Sequence, residues 1–457
     1  MARMVFAALG CLLAGLPAQE IDRAVAAAEA LGARTGVAVA DADGRVLYRH
    51  RPDETFTPAS NMKLLTAAAV LRGLGAQHKF VTRFSLRNGR LVVAASGDPN
   101  WITGTAHAPD AVFGEVAAAL QQRGVTAVRG IDLEPGVFHG PSRPATWPQD
   151  QLQTYYAAPT GPFVLDQGTF AVSISAGRGD RAVVRVAAPA TATAVRGSIE
   201  LADRAKDAVY GAIDQGDAVQ VRGRFYRKAD PVTIKTAVQD PAVWYDGALR
   251  RALAGAGIRI AADAEAAADG LVHEYRTELP AAVLRMLEDS SNFDAEQCLR
   301  VLGAERRQDG SLAGGLAAMQ GQLVELLGSL PAGVELQDGS GLSKGNRVTP
   351  SLLLVALQSS QQGPGGRVLR DCLPVAGRTG TLEGRFEGTD LVDRVRAKTG
   401  WIRGASALSG LVERRDGSVR WFAILMNYDP RKNGLNKDLK RLQESIVAAI
   451  DKLGTDR

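Results

Sequence analysis

The sequence predicts an α/β (α+β) chain in which an antiparallel sheet flanked by helices is assembled from both chain ends, with a mostly-β region inserted between them. Three observations carry this. The N-terminal end reads as a helix followed by a hairpin, the C-terminal end as strands followed by a helix, and the long middle is rich in valine runs and Gly or Pro turns.

The elements follow in order. MARMVFAALGCLLAGLPAQE has a basic start at Arg3, an apolar core from Met4 to Leu16 and a small residue, Ala18, where a signal peptidase can cut, so residues 1–18 are expected to be a secretory signal. Ile21 to Leu31 reads as an alanine-rich helix. Thr35 to Tyr48 alternates, with Asp43-Gly44 as the hairpin turn. From Phe80 to Leu279 the chain carries a hairpin signal at Asn88-Gly89, valine-rich strands at Arg181 to Val186 and Ala218 to Arg222, and a helix near Asp246 to Ala254. Ser406 to Glu413 and Val419 to Tyr428 read as strands joined at Asp416-Gly417. The last helix lines up Leu435, Leu439, Leu442, Ile446 and Ile450 on one face, with Gly454 as its stop. The expected domains are therefore 19–79 with 280–457, and an insertion, 80–279, of two small mostly-β domains.

Composition narrows the function. The chain has 457 residues, 46% hydrophobic, enough for two or three cores. Lys and Arg outnumber Asp and Glu by 54 to 49, a thinly spread +5 that mildly favours anionic surfaces such as cell-wall polymers or lipid headgroups. No nucleic-acid partner is expected, because with 5% aromatic residues no basic cluster is interleaved with stacking rings. No segment after the signal approaches the roughly 20 apolar residues of a membrane-spanning helix, so an exported soluble or peripheral protein is expected. Cys11 would leave with the signal. Cys298 and Cys372 can pair in an oxidising compartment, but two cysteines make neither a disulfide framework nor a zinc spacing.

The chemistry starts at Thr57-Pro-Ala-Ser-Asn-Met-Lys. Pro58 suits the first turn of a helix, which places Ser60 at its N-terminal end and Lys63 one turn on along the same face. A lysine amine in a partly buried, cation-rich site is driven toward its neutral form and can take a serine proton. Alone the pattern is weak, since Ser-x-x-Lys arises by chance and a surface helix cap would explain it. Two further elements change that balance: Ser290-x-Asn292, expected just before a helix, and Lys398-Thr399-Gly400, on an alternating strand. Arg378-Thr379-Gly380 also offers a cation, a hydroxyl and a glycine. Its glycine-dense setting implies a loop, and Lys398 is preferred. No histidine lies near these motifs and no His-Glu-x-x-His occurs, so neither a Ser-His-Asp triad, a metal nor a cofactor is expected.

Ser-x-x-Lys, Ser-x-Asn and Lys-Thr-Gly in this order form the signature of penicillin-recognising serine enzymes. The chain resembles the low-molecular-mass class C penicillin-binding proteins, D-alanyl-D-alanine carboxypeptidases and endopeptidases with a large insertion. The likeness runs through PASNMK, SGDPNW, WPQDQLQTYYAAP, DSSNFDAE, QDGSGLSKGNRVTP, LPVAGRTGTLEGRFEGT and VRAKTGWIRGASALSG, and more than two hundred residues separate Lys63 from Ser290. The resemblance implies a β-lactamase/transpeptidase-like domain made from both chain ends. It implies Ser60 as nucleophile, Lys63 as base, Ser290 as proton relay, Asn292 as a holder of Lys63 and of the substrate backbone, and Lys398 as the cation of the cleft. Thr399, with Lys398, would bind the substrate's terminal carboxylate, Gly400 is a further substrate-binding position, and the N–H groups of Ser60 and Trp401 would form the oxyanion hole. Relatives usually place Thr or Ser at Trp401, so its indole is a departure. Lys344, Trp147, Asp150 and Gln151 are the implied outer contacts, and some relatives carry an aspartate where Gln151 stands.

The implied partners are peptidoglycan stem peptides and, as covalent inhibitors, β-lactam antibiotics, in a secreted, periplasmic or cell-envelope setting. A serine β-lactamase and a non-catalytic wall-binding protein are the rival readings. The motifs do not separate the first, and an intact Ser60, Lys63 and Lys398 argue against the second.

Overall fold

A computed structural model of the chain describes residues 17–187, 194–361 and 363–454. All but the last two residues of the expected signal, 1–18, lie outside the described residues; 17 and 18 open a helix over 17–30. Two compact units are present. Among the described residues, one is built from those within 17–76, 283–295 and 316–454, the other from those within 77–282 and 296–315.

The first unit is organised on a five-stranded antiparallel sheet in the order Val395–Ile402, Ala405–Glu413, Val419–Tyr428, Ala33–Asp41, Val46–His50. The two chain ends meet where Ala33–Asp41 pairs with Val419–Tyr428, with Val37 opposite Ile424. Strand alternation then sorts the side chains. On one face Val37, Val39, Val395, Ala397, Leu408, Phe422 and Ile424 join one apolar core with Ile21 and Val25 from the first helix and Leu439, Ile446 and Ile450 from the last, Leu435–Lys452. Lys398, Gly400 and Ser409 project to the other face, Lys398 being paired across the ladder with Ser409.

The helix Met62–Leu74 has nearly all of its residues buried, as its unbroken apolar run predicts, and Gly75, at φ +86°, ends it. Pro58 does not sit inside this helix. It precedes a single 3-10 turn, Ala59–Asn61, that leads into it, and Ala59 has φ +47°.

In the second unit the strands Gly270–Glu278, Lys79–Arg87, Arg90–Ala94 and Ile131–Glu134 form one sheet in that order. Asn88 and Gly89 both have positive φ, as a tight hairpin requires. Trp101, Phe113 and Tyr245 fill its core, with Phe113 5.1 Å from Tyr245. Phe113 lies on a helix, Pro109–Gln122, that the valine content of this region hid, although Val112, Phe113, Val116, Ala117 and Leu120 recur at helical spacing behind Pro109. Two three-stranded sheets share a second core, where Phe170 stacks on Trp244 at 4.8 Å. Both Cys298 and Cys372 are buried, and no disulfide joins them. Among the described residues no helix is long and apolar enough to cross a membrane.

Candidate active site

Ser60 sits in the 3-10 turn, partly exposed, and Lys63 lies in the first turn of the helix behind it, fully buried. The Lys63 amine donates to Ser60 Oγ at 3.0 Å, to Asn292 Oδ1 at 2.6 Å and to the Ser340 carbonyl at 2.7 Å. The three-residue spacing alone brings serine and lysine together. The other two partners are distant in sequence and come from packing.

Asn292 opens the helix Asn292–Arg307. Ser291 caps that helix by accepting from Asp294 N at 3.1 Å, and the buried Asp294 carboxylate takes a 2.7 Å bond from Arg285. This pair anchors the turn that carries the Ser-x-Asn motif. Ser290 within it has φ +61°, a strained conformation for a non-glycine residue.

Ser340 was not singled out by residue chemistry, although it lies in the quoted segment QDGSGLSKGNRVTP. Asp338 is buried and holds this loop, accepting from Gly341 N at 2.8 Å, Ser343 N at 2.7 Å and Asn346 Nδ2 at 2.7 Å. Thr66 donates to the Gly339 carbonyl at 2.7 Å. Nothing local in the sequence marks the Ser340 carbonyl as the one that meets Lys63.

Lys398 is fully buried in the strand Val395–Ile402, and Asn61 Nδ2 donates to its carbonyl at 2.8 Å. Burial holds the Lys398 amine well below the usual lysine range, the nearby Lys63 charge pushes the same way, and the Asp289 carboxylate opposes both. At Gly400 an added Cβ would lie 2.9 Å from the Pro58 carbonyl and 3.2 Å from Asn61 N. Glycine therefore lets the strand backbone press against the Ser60 turn. The indole of Trp401 is exposed and its Nε1 donates to Tyr428 Oη at 3.4 Å. Arg378, by contrast, lies in a loop and is held by both oxygens of Asp393, at 2.7 and 2.9 Å.

Of the outer residues, Lys344 is exposed and belongs to the same unit as Ser60. Trp147, Asp150 and Gln151 belong to the other unit, where Trp147 is buried and Asp150 exposed.

A partly exposed hydroxyl in contact with a buried amine, beside the edge strand of an antiparallel sheet, describes a serine acyl-transfer enzyme that uses lysine in place of histidine. The profile of the D-Ala-D-Ala carboxypeptidase 3 (S13) family matches residues 17–448. The D-alanyl-D-alanine carboxypeptidase of Actinomadura sp. (strain R39) is 33% identical over 434 residues, spanning 87% of this chain and 78% of the relative. The D-alanyl-D-alanine carboxypeptidase DacB of Haemophilus influenzae is 26% identical, spanning 81% of this chain and 80% of its own. The crystal structure of penicillin binding protein 4 from Haemophilus influenzae has the same fold, with a TM-score of 0.78 at 23% identity over 93% of this chain and 97% of that one. The chain belongs to the D-Ala-D-Ala carboxypeptidase 3 (S13) family, within the low-molecular-mass class C penicillin-binding proteins, and is a serine-type D-alanyl-D-alanine carboxypeptidase.

Proposed function

We propose that this enzyme trims peptidoglycan stem peptides, as carboxypeptidase or endopeptidase, through an acyl-enzyme on Ser60, and that penicillin is trapped on the same oxygen. Ser60 Oγ attacks the carbonyl carbon of the penultimate D-alanine while Lys63 takes the hydroxyl proton. The C–N bond then breaks, Ser290 passes a proton to the departing D-alanine amine, and water releases the acyl group. The observation that carries this reading is the buried Lys63 amine 3.0 Å from Ser60 Oγ. The Ser340 carbonyl can only accept, and Asn292 presents its acceptor Oδ1, so when Lys63 is neutral the contact that reverses is the one with Ser60, whose O–H then points at the amine lone pair.

Asn292 steadies Lys63 and the substrate backbone, Lys398 and Thr399 hold the terminal carboxylate, and the N–H groups of Ser60 and Trp401 receive the oxyanion. Lys344, together with Trp147, Asp150 and Gln151 by family resemblance alone, is assigned to the stem-peptide side chain. Residues 19–79 and 280–457 serve as the catalytic domain around an insertion, 80–279, and export to the periplasm or cell envelope follows from the 1–18 signal.

Intact-mass spectrometry after incubation with labelled penicillin, followed by peptide mapping, tests this. One long-lived adduct on Ser60, absent from Ser60→Ala, is expected. An adduct mapped elsewhere refutes the assignment, and fast steady-state turnover of penicillin makes the protein a β-lactamase.

A further inference from the structure

We infer that Thr381, from the glycine-rich loop that carries Arg378, is a second hydroxyl contact for the substrate's terminal carboxylate, acting as a pair with Thr399. The inference rests on the proposed role of the Lys398 strand. Thr399 Oγ1 donates its one proton to Thr381 Oγ1 at 2.8 Å, so in this arrangement the Thr381 proton is the one given outward, and Thr399 reaches the carboxylate directly only when its hydroxyl turns from Thr381 to the anion. In such a chain each bond polarises the next, so the outer hydroxyl is a better donor to an anion than an isolated one.

Three further observations favour a ligand role over a surface contact. The loop is fixed where it presents Thr381: Thr381 N donates to the Glu288 carbonyl at 3.3 Å, and Gly380, at φ +52°, lies so close that an added Cβ would be 2.5 Å from that same oxygen. Glu288 is two residues before Ser290, so the hydroxyl is placed relative to the second motif as well as to the strand. Thr381 is exposed and Thr399 part-exposed, so a bond between them contributes little to folding on its own.

Finally, Lys398 is fully buried yet pairs with no carboxylate within salt-bridge distance among the described residues. Its amine donates to the Thr399 carbonyl at 3.1 Å, and the Asp289 charge acts on it from beyond ion-pair distance, so the cation lies behind the strand that carries the Thr399 hydroxyl and adds positive potential there. Two residues along the strand from Thr399, on its side, stands Trp401, which offers an indole and no hydroxyl. Thr381 supplies from a neighbouring loop what the strand does not.

The test compares a D-alanyl-D-alanine peptide with its C-terminal amide in wild type, Thr381→Val, Thr381→Ser, Thr399→Val and Lys398→Ala, with thermal melts to show that each variant folds. Thr381→Val should lower kcat/KM for the acid by about tenfold while changing the amide little, and Thr381→Ser should restore most of it. A loss that is equal on acid and amide, or no loss, in Thr381→Val while Thr399→Val and Lys398→Ala show the acid-specific effect, overturns the role of Thr381 alone. If none of these variants distinguishes acid from amide, the carboxylate reading of the Lys398 strand falls, and this inference with it.

Discussion

Lys63 is enclosed by a hydroxyl, a side-chain carbonyl and a backbone carbonyl, all within 3.0 Å, at a place with no exposure. That enclosure makes it testable as a base and not merely as a charge. Arginine keeps the positive charge and the donors but does not give up its proton near neutral pH. Lys63→Arg should therefore lose penicillin acylation by on the order of a hundredfold or more, the usual scale of general-base catalysis. Stopped-flow acylation beside a thermal melt checks this. Near-normal acylation by a folded Lys63→Arg would require another base, with Ser290 the next candidate.

Three elements converge at Ser60: the 3-10 turn Ala59–Asn61 that carries it, the edge strand Val395–Ile402 and the loop of residues 337–346. Each approach depends on a glycine or a buried polar group. Gly341 has φ +83°, and an added Cβ there would lie 1.8 Å from the Ala59 carbonyl, inside the backbone of the Ser60 turn. Gly341→Ala should cost roughly 1–3 kcal/mol for the backbone conformation alone and more for the overlap. Because the overlap is with Ala59, acylation of Ser60 should fall even in protein that remains folded. Labelling at wild-type rate in a folded Gly341→Ala would show that the loop does not set the turn.

At the scale of the whole molecule each unit has its own core, and the second carries at its centre a carboxyl that favours folding in acid and not at neutral pH. Asp98, in the segment SGDPNW, is buried and accepts from Thr277 Oγ1 at 2.7 Å, Asn100 N at 2.9 Å and Trp101 Nε1 at 2.9 Å. Burial outweighs these donors and pushes its carboxyl up to about 6. An unfolded aspartate titrates near ~3.9, so between these values the folded form binds more protons. The stability this group contributes is thus fully present below about pH 4 and is lost as pH rises to about 6, a change on the order of 3 kcal/mol. Relative to Asp98→Asn, wild type should lose stability from pH 4 to pH 7. A difference in melting that stays flat across that range would show that the donors, not burial, set the carboxyl.

Much of this protein was legible without coordinates. The strands at both ends were legible as apolar or alternating runs joined by Asp-Gly turns, the central ones being buried on both faces, and the three-residue step from Ser60 to Lys63 brings the two side chains together on a helical turn. The family motifs named the site, since their order along the chain is independent of how the chain folds. The helix Pro109–Gln122 escaped because the valine runs and turns elsewhere in the insertion read as β, although its own apolar residues recur at helical spacing. The Ser340 carbonyl escaped for a different reason: a backbone oxygen has no residue type, so no pattern marks it. Thr381 was passed over with the loop that holds it, where Arg378 drew attention and is in fact satisfied by Asp393. Sequence by itself determined which side chains are the candidates for the chemistry, because their identity and local spacing are properties of the chain. Only the tertiary structure decided which carbonyl meets Lys63, that Lys398 is fully buried, and which second hydroxyl lies beside Thr399. Those depend on segments that loop closure brings together, and nothing local in the sequence records the match.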